Sequence, residues 1–159
     1  MNRLACWSIV VMLVVNPWCE VSPSAQVATE VGTWTLDVAR STFPGGSGPK
    51  SRTLTIENSG QGVKVSNLTV AADGSISSSS YTEIYDGREY PLAGSANAIT
   101  TSSRRIDTNT GERITKTAGK VTRTRLRMLS ADGQTLTVTE QGTNGEGQPF
   151  GLTMVFQRQ

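Results

Sequence analysis

Arg123, Arg125 and Arg127 stand at alternate positions, separated by Thr124 and Leu126. On a strand that spacing sends all three guanidiniums to one face. Planar guanidiniums bind carboxylates and phosphates through paired hydrogen bonds. With Arg104, Arg105, Arg113, Lys116 and Lys120 they place eight basic residues between positions 104 and 127, against Asp107 and Glu112. Turned inward, the three arginines would make an anion site. Turned outward, they form a solvated stripe, leaving Thr122, Thr124, Leu126 and Met128 to line the interior. Burying unpaired arginine is costly, so the outward orientation is expected. Such a stripe suits an anionic envelope surface, held in a salt-sensitive way.

A second group is aromatic and apolar. Tyr81 and Tyr85 share a strand parity, and Tyr90 follows beyond Asp86-Gly87. The two could line a pocket mouth, although aromatics more often supply packing area. Trp34, Met128, Phe150 and Met154 are the candidates to line or fill an interior, with Arg125 as a polar partner at its mouth. Catalytic chemistry has little to work with. The chain has no histidine, and its two cysteines, Cys6 and Cys19, both lie in the first twenty residues. That removes the commonest general base and nearly all zinc, copper and haem ligation from the rest. Carboxylates such as Glu83, Asp86 and Glu89 are scattered, and no Asp-x-Asp loop exists for calcium. No catalytic residue, metal ligand or cofactor is assigned. A formal net charge of +2 gives no nucleic-acid footprint.

The elements that must position these residues are strands. Met1-Asn2-Arg3, an apolar run from Leu4 to Val15 and the break at Asn16-Pro17 read as a secretory signal. The run is shorter than the about 20 residues a membrane helix needs. Cleavage is expected after Ser24 or Ala25, giving a signal peptide over 1–25 and one domain over 26–159, with no transmembrane segment in the mature chain. The product would be periplasmic or extracellular. Beyond it, alternation of apolar and polar residues dominates, and turn residues recur at short intervals. The pattern predicts nine or ten strands, at about 31–37, 51–58, 62–71, 74–86, 88–93, 97–107, 111–118, 120–130, 134–142 and 149–158. Asp73-Gly74, Asp86-Gly87 and Asp132-Gly133 read as type I′ hairpin turns. A phase shift between Val63/Val65 and Leu68/Val70 predicts a bulge near Ser66-Asn67. Residues 38–50 form a Gly/Pro-rich crossing, with Phe43 placed to plug one end. An up-and-down order with this many strands protects both edges by closing into a barrel; a two-sheet sandwich is the alternative.

Gly32-Thr33-Trp34-Thr35-Leu36, followed by Ser41-Thr42-Phe43, resembles the first strand of the calycin superfamily of lipocalins, fatty-acid-binding proteins and avidins. The resemblance implies a barrel whose floor is closed by Trp34 beside Gly32, with Arg158 from the last strand over the indole. The chain departs from fatty-acid-binding proteins in two ways. Residues 38–50 leave no room for a helical lid, and Phe156-Gln157-Arg158 replaces their Arg-x-Tyr carboxylate clamp. The Tyr85–Pro91 and Gly142–Pro149 segments are also similar to those of a group of small exported bacterial proteins. Two functions follow as expectations. The first is an exported, non-enzymatic lipocalin-like protein, binding a small apolar or amphipathic ligand in its lumen. The second is a protein- or envelope-binding module with a filled barrel, for example a protease inhibitor. An open lumen of about 300 Å³ or more favours the first and a packed one the second.

Overall fold

The computed structural model describes residues 29–92 and 99–159. The expected secretory segment and its expected cleavage site, both cysteines and the facing ends of two expected strands lie outside the described residues.

Alternating β-formers between Gly/Asp/Asn turns fold as ten strands. These are β1 (Gly32–Thr42), β2 (Ser51–Ser59), β3 (Gly62–Val70), β4 (Ile76–Ile84) and β5 (Asp86–Pro91), then β6 (Ile99–Arg105), β7 (Thr110–Thr117), β8 (Lys120–Leu129), β9 (Thr135–Thr143) and β10 (Pro149–Arg158). They make one antiparallel sheet in the order β4-β3-β2-β1-β10-β9-β8-β7-β6-β5. Chain neighbours are sheet neighbours, and β1 closes onto β10. The result is an all-β, up-and-down, nearly closed barrel, and the continuous sheet sets the sandwich aside.

Three local expectations are corrected. Asp86-Gly87 is not a hairpin: β4 and β5 do not pair, and the seam of the barrel falls between them. Only Tyr85 separates the two strands, too little for the two-residue loop a tight hairpin needs. The Asp-Gly turns are not type I′ either, because Gly74, Gly87 and Gly133 have positive φ but the preceding aspartates do not. Each aspartate instead accepts the backbone N–H two residues on, from Ser75, Arg88 and Gln134. Finally, β3 pairs with both neighbours without a register shift. Its inward face simply turns polar at Asn67, and Leu68 points to solvent at 51% exposure.

The apolar half of the interior comes from β1–β3, β9 and β10, where Trp34, Leu36, Leu54, Ile56, Val65, Leu136, Val138, Met154 and Phe156 pack together. Phe43 is half-buried against this cluster, beside the short turn at Pro44–Gly46. At the lower end Arg158 lies opposite Trp34 in the β1–β10 register, with its guanidinium carbon 4.2 Å from the ring centroid. Its nitrogens donate to the carbonyls of Gly133 (2.6 Å), Val31 (2.9 Å) and Thr29 (2.6 Å). Gly32 makes room for that stack. It sits at φ 146°, and a Cβ there would stand 2.5 Å from the Arg158 Nη1.

Candidate functional site: a charged interior and the pocket above it

The other half of the interior, from β4 to β8, is polar. Arg123, Arg125 and Arg127 point into the barrel, which corrects the outward stripe expected from sequence. The cost argument assumed unpaired arginines, and the fold supplies carboxylates. Arg127 is 4% exposed. Its Nη1 donates to Glu30 Oε2 (3.1 Å) and Tyr85 Oη (3.0 Å), and its Nη2 lies 2.9 Å from Glu83 Oε2 in an ion-pair contact. Arg125 holds Glu140 Oε2 through Nε and Nη2, both at 2.8 Å, and donates to Tyr81 Oη at 2.8 Å. Arg123, nearest the open end, reaches Glu140 Oε1 at 3.1 Å, with its side chain 48% exposed.

Aromatic rings separate these charges. The Arg105 guanidinium lies 3.9 Å from the Tyr85 ring centroid, and that of Arg113 lies 4.2 Å from Tyr81's. Tyr85 fits because Gly111 faces it: a Cβ there would meet the ring at 3.0 Å. Its hydroxyl donates to Glu30 Oε1 at 2.8 Å, an oxygen that Arg105 also pairs. Burial pushes the Tyr85 phenol well above the ordinary tyrosine range. Burial alone would lower the Arg127 pKa, but Glu83, the two tyrosines and Glu30 reverse this and raise it. For Glu83 burial raises the pKa, and Arg127, Arg113, the Ser103 hydrogen bond and Arg125 together bring it below the ordinary value.

The remaining space is uneven. At the centre, between Arg52, Tyr81, Arg125, Arg127, Met154 and Phe156, the void is about 20 Å³, room for about one water molecule. Above it, under the upper part of the seam, a pocket of about 290 Å³ is lined by Ser79, Tyr81, Thr101, Arg113, Arg123 and Arg125, among others. A third space, about 510 Å³, lies at the Trp34 end beside Glu30, Arg105 and Leu129.

The structure therefore brings together only part of the residue set chosen from sequence. Tyr81 and Arg125 line both the mouth pocket and the central void, and Met154 lines the void. Trp34 is fully buried in the lower core, and Tyr85 belongs to the charged network. Phe150 sits at the rim, with Arg123 5.4 Å from its ring. Met128 is 38% exposed and faces outward, which corrects its placement as an interior residue. It alternates with Arg127, so one strand cannot turn both inward. Sequence reasoning missed Arg52, Arg113, Glu83 and Glu140 as interior groups, although Glu140 shares the parity of Leu136 and Val138. Glu30 precedes the first strand and carries no periodic signal.

Comparison with known proteins gives fold alone. No family model and no curated protein matches the sequence. Among solved structures, the chain is similar to a Schistosoma mansoni fatty acid binding protein in complex with arachidonic acid. That match has TM-score 0.52 and 16% identity, covering 86% of this chain and 98% of the other. It is also similar to As-p18, an extracellular fatty acid binding protein, with TM-score 0.51 and 14% identity, covering 81% and 95%. What the chain shares with both is the antiparallel up-and-down barrel.

Proposed function

We propose that the mature chain, residues 26–159, is an exported, non-catalytic binding protein that takes a small amphipathic ligand at the barrel mouth. The observation that carries this reading is the contrast between the mouth and the centre: about 290 Å³ at the mouth and about 20 Å³ below it, where the lumen is packed. Ligand sites usually begin near 300 Å³. Both solved structures compared above are of fatty-acid-binding proteins, and one is named extracellular. Their barrels support small-molecule binding as the general role. In this chain an alkyl tail has no open path past Tyr81 and Arg125 towards Trp34. The ligand's polar end would meet Arg125 and the residues around it, and its apolar end would lie towards Leu92 and the rim.

Native mass spectrometry of protein purified gently from its source tests the reading. The expected result is an adduct of a few hundred daltons, lost on denaturation. A clean apo mass, unchanged after incubation with anionic amphipaths and hydrophobic dyes, overturns it. The nearly filled centre would then favour the second reading, a barrel that acts through its surface as a protein- or envelope-binding module.

A further inference from the structure

The mouth pocket carries more positive charge than the barrel neutralises. Four guanidiniums gather in and directly beneath it: Arg52, Arg113, Arg123 and Arg125. Among the described residues one carboxylate, Glu140, is in ion-pair contact with them, divided between Arg123 and Arg125. Glu83 acts on Arg113 and Arg125 from deeper in the barrel, where it is paired with Arg127. Arg113 lies over a ring and has no carboxylate within ion-pair distance among the described residues. Arg52 donates to Asn67 Oδ1 at 3.0 Å and to the Met154 sulfur at 3.3 Å, both neutral, and its buried Nε has no partner. The β7–β8 register also sets Arg113 directly opposite Arg125. Like charges facing each other across strands are destabilising. Arg127, one step deeper, is ion-paired by Glu30 and Glu83, so the uncompensated charge falls at the mouth.

Building on the mouth-binding reading above, we infer that this pocket is a headgroup site for a phosphate monoester dianion. A monocarboxylate would leave most of the surplus charge unanswered. A phosphate monoester brings close to two negative charges at neutral pH and three acceptor oxygens. The cations are all arginine, whose rigid fork matches phosphate geometry. Arg113 and Arg123 flank the pocket, Arg125 lies towards its base, and the Thr101 and Thr115 side chains are available as hydroxyl donors. Glu140 steadies two of the arginines and leaves Arg113 for the ligand, while Arg52, which lines the void beneath, adds positive charge from below. The same chemistry fits free inorganic phosphate and a phosphorylated amphipath.

Calorimetric titrations of the mature protein at pH 8 with inorganic phosphate, dodecyl phosphate and dodecanoate separate these cases. The site requires dodecyl phosphate to bind at least tenfold more tightly than dodecanoate, with affinity falling as salt is raised. Binding of inorganic phosphate at comparable strength identifies the free anion as the source; its failure beside tight dodecyl phosphate binding identifies the amphipath. Arg113→Gln and Arg123→Gln should each weaken dodecyl phosphate tenfold or more. Arg104→Gln, on the outer face against Glu112, should change nothing. Unaltered Trp34 fluorescence establishes that each variant is folded. Equal affinity for dodecyl phosphate and dodecanoate overturns the headgroup class while leaving mouth binding intact. Binding that survives both arginine substitutions overturns the site, and no binding of any amphipath overturns the mouth-binding reading as well.

Discussion

Glu83 on β4 accepts a hydrogen bond of 2.9 Å from Ser103 Oγ on β6, across the seam where β4 has no backbone partner. The same carboxylate meets Arg127 of β8. Tyr81, two residues earlier on β4, accepts from Arg125 and Arg127 and carries Arg113 of β7 on its ring. Tyr85, just past β4, reaches Glu30 and Arg127 and stacks with Arg105 of β6. Side chains therefore hold the barrel together where the hydrogen-bond ladder stops. The polar half of the interior is the structural counterpart of the open seam, and the pocket above it inherits the unspent charge.

Substitutions along this crossing should unfasten it in proportion to what they leave unpaired. Ser103→Ala should cost about 1–3 kcal/mol, the penalty for removing one buried hydrogen-bond partner. Arg127→Gln should cost about 3–5 kcal/mol, because Glu83 and Glu30 stay buried without their cation. Adding Glu83→Gln to Arg127→Gln should restore part of that loss. Urea unfolding of the single and double variants measures the coupling, and simple additivity would show that the pair is independent.

Stability should also fall in acid through Glu83. Burial acts to raise its pKa, but Arg127, Arg113, Ser103 and Arg125 leave it below the ordinary value in the folded protein. A depressed folded pKa contributes stability above the unfolded value, about 4.3 for glutamate, and that contribution is lost as pH drops through the folded pKa. The native protein should therefore lose more of its urea midpoint between pH 7 and pH 3 than Glu83→Gln does. Identical losses in the two proteins would place the acid sensitivity elsewhere.

At the opposite end, Trp34→Ala should destabilise by about 3–5 kcal/mol, the usual cost of emptying a large buried aromatic site. The indole is fully buried, and its Nε1 donates to the Glu30 carbonyl at 3.0 Å. Arg158→Lys should cost about 1.5–3 kcal/mol, because an ammonium cannot reproduce a planar fork that reaches three carbonyls while lying over a ring. A loss under 1 kcal/mol at Trp34, read from chemical denaturation, would contradict its place in the core.

The strands and their order were legible because most strands are short and alternating and are bounded by turn residues. The charged interior was hidden for a physical reason. Arg125 meets Glu140 on the adjacent strand, but Arg127 meets Glu83 across the barrel and Glu30 before its first strand. Whether an alternating arginine run faces water or the interior depends on such partners, and periodicity reports only that the run shares a face. The seam was equally obscure. Asp86-Gly87 has turn chemistry, and only the three-dimensional course of β5 shows that it joins strands that do not pair.

The three arginines of β8 then become a test of depth along one strand. Arg123 is about half exposed and shares Glu140, so Arg123→Ser should cost no more than the 1 kcal/mol or so typical of a solvent-screened pair. Arg125→Ser should cost more, since its side chain is 21% exposed and it supplies both the second hold on Glu140 and the Tyr81 hydrogen bond. Arg127→Ser should cost the most, about 3–5 kcal/mol, because it strands two buried carboxylates. Urea midpoints for the three variants should fall in that order. An outward stripe would give three small and equal losses, since surface substitutions usually stay within about 0.5 kcal/mol. The gradient arises because the fold supplies carboxylates in step with burial, two to Arg127 and one shared between Arg125 and Arg123.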